Sequence, residues 1–503
     1  MLFKTTKEDY IEKVLSVKAR EKISLENMSL YSFLEPFIIG NTDLCRIKGF
    51  PQFSVPNRIN KKIWKSIFIQ PIFVNAGYLL MLFIKIILNY FKKNIKNNEL
   101  DLIFFSNARF IDNEGNNVFF DRIIKELKNE KNIKVFFELI NPLAQKKDYI
   151  SIYDYLNFKT LFQILSKKKK ISILLNQNKE LFYEIFNEDY SKLKSAINFF
   201  FKILPIFIST ILVLTEKMLE FHKPKICLAV SETELFTKAL ILNSKKYRCK
   251  ICTLQFGGIS TEMCDLNPTN DIVPYIKFVE GIGTKKILMK NYHYPKKSIV
   301  ISGSPRYDYY SNKINKKKLR KKFNFFQNDK ILIFFDQGIP EYKRTVCEML
   351  DTAQRKFKLK IIIKPHPTSS RQDVIEEYQK ISKKNKNILI LSNINNREIL
   401  SISNLAITWF STVALEALLS KVPLILININ NYFPDYLPYI NEGSALKAIN
   451  KKEFLKKIKM LLYDRTERIK IWRNQDKSIK YHAFNNDGKS SERIATIIKK
   501  ILK

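Results

Sequence analysis

Acidic residues, histidine and cysteine are all scarce in this chain of 503 residues, and each scarcity excludes something. Asp and Glu total 48 against 87 Lys and Arg, a formal net charge of +39, which favours acidic partners such as nucleic acid, anionic lipid or nucleotide phosphates. Part of that excess travels with abundant Lys, Ile and Asn, the residues of A/T-rich codons, so it is discounted as a binding signal. Lysine is spread along the whole chain and no aromatic-basic stacking platform is visible, which argues against nucleic acid. The six cysteines are single except for Cys249 and Cys252. A chain of this size needs no disulfide staples, and a reducing cytoplasm is the simplest setting. Cys249 and Cys252 lie in an expected buried strand, where a spacing of three points the thiols to opposite faces. No second such pair exists, so structural zinc lacks its four ligands.

Long apolar runs are also lacking. The N-terminus, MLFKTTKEDYIEK, has acidic residues where a signal peptide has its apolar core, so export is not expected. Two stretches are borderline for a membrane span of about 20 residues. Ile67 to Ile84 is free of charge for 18 residues, and Ser195 to Thr215 is apolar except for Lys202. The first is flanked by Lys61, Lys62 and Lys65 and by Lys85, Lys92 and Lys93. Basic flanks on both sides suit a helix lying on an anionic membrane surface, and a core helix is the equal alternative. For the second stretch a core helix is expected.

What is present is a globular composition, 46% hydrophobic and 27% charged, enough for two or three domains. From residue 101 short β-rich runs alternate with amphipathic ones, the signature of an α/β fold with mostly parallel sheets. Expected strands are Asp101 to Phe105, Ile133 to Phe137, Ile226 to Val230 and Lys250 to Gln255. A second series follows at Lys330 to Phe335, Leu359 to Ile363, Asn387 to Leu391, Leu405 to Thr408 and Pro423 to Ile427, with helical patterns between. Lys167 to Lys170 reads as a solvated loop, and Lys313 to Lys322 as a linker between two doubly wound, Rossmann-like halves.

In open parallel sheets ligands bind beyond the carboxyl ends of the strands. Lys364-Pro-His366-Pro367 follows one strand, and the prolines hold Lys364 and His366 extended, ready for a diphosphate or phosphodiester. A hydrogen-bonded structural histidine is the alternative for His366. Trp409-Phe-Ser411-Thr412 ends another strand where a helix begins; capping accounts for one hydroxyl, and two suggest an anion. Glu416, one turn in, suits a ribose or a surface acid. Gly303-Ser-Pro-Arg306-Tyr-Asp308 is a strand running into a tight turn, with Arg306 placed for phosphate. Gln337 follows Phe335 and Asp336 into the same cleft.

The motifs Gly303-Ser-Pro-Arg-Tyr-Asp308, Lys364-Pro-His-Pro367, Ser411-Thr-Val-Ala-Leu-Glu-Ala417 and Asp487-Gly-Lys-Ser-Ser-Glu-Arg-Ile494, in that order, resemble bacterial capsule and surface-polysaccharide glycosyltransferases of the GT-B fold. That group shares His-Pro and Ser-Thr motifs with sialyltransferases, Kdo transferases and CDP-glycerol glycerophosphotransferases. The resemblance covers roughly residues 225 to 503. It implies two Rossmann-like domains facing a cleft: an N-terminal helical extension over 1–100, an acceptor domain over 101–312, a nucleotide-donor domain over 313–480, and a helix over 481–503 crossing back to the first domain. It further implies that Lys364 and His366 contact the donor phosphate, that Ser411 and Thr412 hold it, and that Glu416 supports the ribose or base. Many relatives carry Gln-His-Gly where this chain has Gln255-Phe256-Gly257, which leaves the acceptor chemistry to other residues.

The expectation is therefore a metal-independent glycosyltransferase with no cofactor, moving a sugar from a nucleotide donor, a CMP-sugar among the candidates, to a saccharide or lipid-linked acceptor of a capsule or lipopolysaccharide. It would work in the cytoplasm, peripheral on the inner face of the membrane. Asp112 and Glu232 are the candidate bases beside His366. The alternatives are a CDP-polyol phosphotransferase, a sugar-nucleotide epimerase and a non-catalytic assembly protein of the same fold.

Overall fold

Two fully buried apolar runs, Ile226-Cys-Leu-Ala-Val230 and Ile331-Leu-Ile-Phe-Phe335, lie at the centres of two separate parallel sheets. Such runs belong to strands covered by helices on both faces, where no side chain reaches water. The computed structural model describes residues 24–25, 28–29, 70–91, 99–107, 110–111, 116–127, 132–138, 150–178, 190–258, 272–337, 339–365, 372–392, 394–432, 435 and 437–503.

The first sheet contains β1 (Leu102–Asn107), β2 (Ile133–Glu138), β3 (Ile150–Ser151), β4 (Ile226–Val230), β5 (Lys250–Leu254), β6 (Ile276–Val279) and β7 (Ile299–Ile301), in the order β3-β2-β1-β4-β5-β6-β7. The second contains β8 (Ile331–Phe335), β9 (Lys360–Lys364), β10 (Ile388–Ile390), β11 (Leu405–Thr408), β12 (Leu424–Ile427) and β13 (Leu446–Ala448), in the order β10-β9-β8-β11-β12-β13. Both orders reverse direction beside their first strand, which opens a crevice at the carboxyl ends of β1 and β4 and of β8 and β11. Strands β3, β6 and β13 were not foreseen, because β3 has two residues, β6 carries a lysine and β13 has three residues with a lysine at its centre.

Alternation along β1 divides the first core. Ile103 and Phe105 pack with Ile206 and Leu212 of the helix Tyr190–His222, while Leu102 and Phe104 pack with Ile123, Ile494 and Ile498 on the other face. The two thiols separate as the spacing predicts, Cys249 joining the first cluster and Cys252 the second. The apolar stretch Ser195 to Thr215 is thus part of a core helix, and among the described residues no helix is long and apolar enough to cross a membrane. Lys167 to Lys170 corrects an expectation: the run lies inside the helix Phe158–Gln177, whose start Asn157 and Thr160 cap reciprocally. Lys313 to Lys322 likewise contains a helix, Lys316–Lys322, anchored by buried Leu319.

The helix Gln70–Tyr90 buries Tyr78, Leu82 and Ile86 in the first core and is apolar on its outer face as well. Its single lysine, Lys85, is fully buried and pairs with Asp154 at 2.6 Å, and Asn89 bonds the carbonyls of Tyr153 and Leu156. Leu80, Phe83, Ile87 and Leu88 face outward beside exposed Phe158 and Phe162 of the neighbouring helix.

The chain from β7 interlocks with the start of the last helix, Ser490–Leu502. Buried Asp308 accepts from the amides of Ser490 at 2.9 Å and Ser491 at 2.8 Å and from the Ser491 hydroxyl at 2.6 Å. Gly303 has φ +76°, and a Cβ there would sit 2.4 Å from Ser490 Oγ, so both conformation and space require glycine. Arg493 closes the joint, its Nε donating to the Ser302 carbonyl at 2.9 Å. Two of the motifs picked out by their sequence are therefore the two sides of one capping contact. Asp308→Ala should lower the unfolding free energy by about 2 kcal/mol by orphaning these donors. A urea midpoint that falls at constant m-value, with Asp308→Asn falling less, is the expected measurement.

Candidate functional site

The carboxyl ends of the two sheets meet at Glu416, on the helix Val413–Leu419 that follows β11. The carboxylate is buried, 2% exposed, and takes three donors. Arg306 Nη2 lies at 2.6 Å from Oε1, while Tyr310 Oη at 2.6 Å and Asn396 Nδ2 at 3.0 Å reach Oε2. Arg306 and Tyr310 arrive on the 3-10 segment Pro305–Ser311 after β7 of the first sheet. Asn396 opens the helix Asn396–Ile402 after β10 of the second, and its Oδ1 accepts from Lys364 Nζ at 2.7 Å. A continuous chain Arg306, Glu416, Asn396, Lys364 thus joins three residues that the sequence marked separately. Burial pulls the Lys364 ammonium below its usual range, opposed by the Glu416 charge.

The other marked residues fall around this chain. Ser411 Oγ accepts from the Val413 amide at 3.3 Å, and Thr412 makes no capping hydrogen bond. Capping therefore occupies one of the two hydroxyls. Gln337 Oε1 accepts from the Phe410 amide at 2.9 Å, tying the end of β8 to the end of β11. Across the cleft, the Phe256 carbonyl accepts from Arg306 Nη1 at 3.4 Å, and Gly257 approaches Thr412 so closely that an added Cβ would lie 3.3 Å from its methyl group. Gly303 makes room for Ser490, which gives it a packing role. His366 and Asp112 lie outside the described residues.

Glu232 is placed in the first core rather than on the cleft wall. It is fully buried against the Lys277 ammonium, and accepts from Tyr294 Oη at 2.8 Å and Thr253 Oγ1 at 3.2 Å. Burial alone would raise its carboxyl, but Lys277 and Tyr294 hold it below the usual range. A carboxylate so occupied favours a structural ion pair over proton transfer from an acceptor.

Sequence reasoning missed Asn396, Tyr310 and Glu280. Asn396 follows the end of β10, so the strand-end rule applied to that strand would have reached it. Glu280 follows β6, which its lysine concealed. Buried Glu280 is bound to Gln255 twice: its amide donates to Oε1 at 2.9 Å, and Nε2 donates to its carboxyl at 3.3 Å.

The Arg306–Glu416 pair has little solvent, with side chains 20% and 3% exposed. Arg306→Met should cost about 3 kcal/mol by stranding the carboxylate. Combined with Glu416→Gln, the loss should be smaller than the sum of the single losses by at least 1 kcal/mol, read as a double-mutant cycle in denaturant unfolding.

Residues 279–500 match the family described as CDP-Glycerol:Poly(glycerophosphate) glycerophosphotransferase. An uncharacterised protein of Methanocaldococcus jannaschii is 27% identical over 369 residues, 63% of this chain and 62% of the relative, so the chain spans under two thirds of that protein. Among solved structures, S. aureus MnaA with UDP is similar at TM-score 0.53 and 15% identity, covering 80% of this chain and 97% of that one. A variant of the wall teichoic acid polymerase TagF is similar at 0.52 and 13%, covering 87% and 97%. The two parallel sheets, their strand orders and these likenesses make the fold GT-B.

Proposed function

We propose that the protein is a nucleotide-dependent transferase of surface-polymer synthesis that moves a polyol phosphate from a CDP-polyol to a growing chain. The observation that carries this reading is the span of the glycerophosphotransferase match: residues 279–500 include Arg306, Tyr310, Lys364, Asn396, Ser411, Thr412 and Glu416, the whole joined cluster. In such a transfer the acceptor hydroxyl attacks the phosphorus bearing the polyol, the bond to CMP breaks, and the hydroxyl proton passes to a base. Lys364 and His366 neutralise the phosphates, the Thr412 hydroxyl donates to them, and Glu416 holds Arg306 in place between the acceptor and donor halves. Sugar transfer from a nucleotide donor is the second reading, in keeping with the similarity to a solved structure that holds UDP. It differs in the nucleotide it needs and in the group that moves.

Thermal shifts with CMP, CDP and UDP separate polyol transfer from sugar transfer out of a UDP-sugar. A cytidine nucleotide at a hundredfold over its dissociation constant should stabilise the protein by about 2.7 kcal/mol, and UDP should not. Lys364→Met and His366→Ala should each remove the shift while the apo protein stays folded. A shift with UDP alone would overturn polyol transfer, and silence from all three would overturn the enzyme.

The reading extends to an anionic membrane surface on the cytoplasmic side. On the helix Gln70–Tyr90 the only charge turns inward, and Leu80, Phe83 and Leu88 are 59%, 44% and 45% exposed. Apolar area directed at solvent and flanked by lysines in sequence suits the boundary between head groups and acyl chains. The protein should sediment with anionic vesicles and be released partly by salt. Phe83→Ser combined with Leu80→Ser should abolish sedimentation; equal sedimentation of wild type and variant would exclude this face.

A further inference from the structure

Glu280 has no role in the chemistry proposed above, yet its surroundings connect it to the donor side of the cleft. It leaves β6 at the carboxyl edge of the first sheet and is 3% exposed. Its amide and carboxyl both engage the side-chain amide of Gln255, and the same Gln255 Nε2 donates to the Gly257 carbonyl at 2.7 Å. Gly257 is the residue that abuts the Thr412 methyl group, and the neighbouring Phe256 carbonyl receives Arg306. The path from Glu280 through Gln255 to the Phe256–Gly257 turn consists of hydrogen bonds, and the Thr412 methyl group lies just beyond it, 3.3 Å from where a Cβ on Gly257 would stand.

We propose that Glu280 is a positioning residue: by clasping Gln255 it fixes the Phe256–Gly257 turn against Thr412 and keeps Arg306 on the Phe256 carbonyl, so that the donor side is preformed. The proposal rests on the reading of Thr412 as part of a nucleotide site.

The charge on Glu280 acts on Arg306 rather than on the clasp itself, because Gln255 Nε2 donates to the carboxyl in either protonation state. Arg306 and Tyr307 face Glu280 from the segment after β7, with Ser304 beside them; Glu416 faces it from the helix after β11, and Tyr439 from the stretch between β12 and β13. Behind it, Gly281 packs against the carbonyls of Tyr481 and His482, and the His482 imidazole is paired with Glu442 at 2.6 Å. Burial pushes the Glu280 carboxyl from 4.5 up to about 8, with Arg306 opposing and Glu416 adding to the rise. At neutral pH it is therefore protonated, and Arg306 serves Glu416. Once Glu280 ionises, one guanidinium faces two buried carboxylates and is drawn off the Phe256 carbonyl.

The same shift sets the sign of the stability effect. The folded state holds the proton more tightly than the unfolded chain, so the contribution is complete below about pH 4.5 and is lost as pH rises to about 8.

The experiment titrates CDP and UDP into wild type, Glu280→Gln, Glu280→Ala and Gln255→Ala between about pH 6.5 and 9.5, with amide exchange over residues 255–258 followed in the same samples. If the ionised carboxylate draws Arg306 off the Phe256 carbonyl and only the neutral state binds, wild-type affinity falls about tenfold per unit above pH 8. Glu280→Gln, which keeps the neutral shape, should bind with a flat profile. Glu280→Ala and Gln255→Ala should bind weakly throughout and exchange faster at Gly257. A Glu280→Gln profile with the wild-type slope, or unchanged exchange in Glu280→Ala, overturns the proposal. Faster Gly257 exchange in Glu280→Ala than in wild type, with neither protein binding nucleotide, supports the clasp and overturns the nucleotide reading instead.

Discussion

One guanidinium joins the two halves of this molecule. Arg306 leaves the first sheet, meets a buried carboxylate at the head of a helix in the second, and reaches back to a carbonyl on the first. With so little water present, neither charge is stable without the other, and the energy of separating them is set by desolvation rather than by Coulomb attraction. Tyr310 and Asn396 complete the carboxylate's coordination, so that its placement depends on three elements at once. The segment that delivers Arg306 also delivers Asp308 to the last helix, and one short 3-10 turn thereby sets both the cleft and the closing of the chain.

Much of the frame was legible in the sequence, for reasons that differ by element. β4 and β8 announce themselves because five consecutive apolar residues are tolerated only where both faces are covered. β6 was hidden because Lys277 sits in its middle, and that lysine is admissible only because Glu232 neutralises it 45 residues away in the chain. No local pattern carries such a pairing. The lysine run in Phe158–Gln177 misled in the opposite sense, since a helix with one buried stripe of Ile164, Ile171 and Leu175 can accommodate any charge on its other face.

The site was legible by position and illegible by role. Strand ends picked out Lys364, Ser411, Thr412 and Arg306, and three-dimensional contacts then gave several residues other occupations. Gly303 and Asp308 stood out as parts of a tight turn around Arg306, and in three dimensions they seat and cap the last helix. Glu232 looked like a base and neutralises a core lysine. In each case the competing partner is distant in sequence, and a motif reports only which side chain is present, never what has already claimed it.

The last helix lays Ile494, Ala495 and Ile498 onto the face of the first sheet formed by Leu102 and Phe104. These strand residues leave the ribosome nearly four hundred positions before their cover does. At ordinary synthesis speeds the part of that face covered by the last helix waits roughly 20 to 80 s. Over that interval Phe119, Phe120 and Ile123 are the cover that the same half supplies, and the patch reserved for the last helix stays open to water.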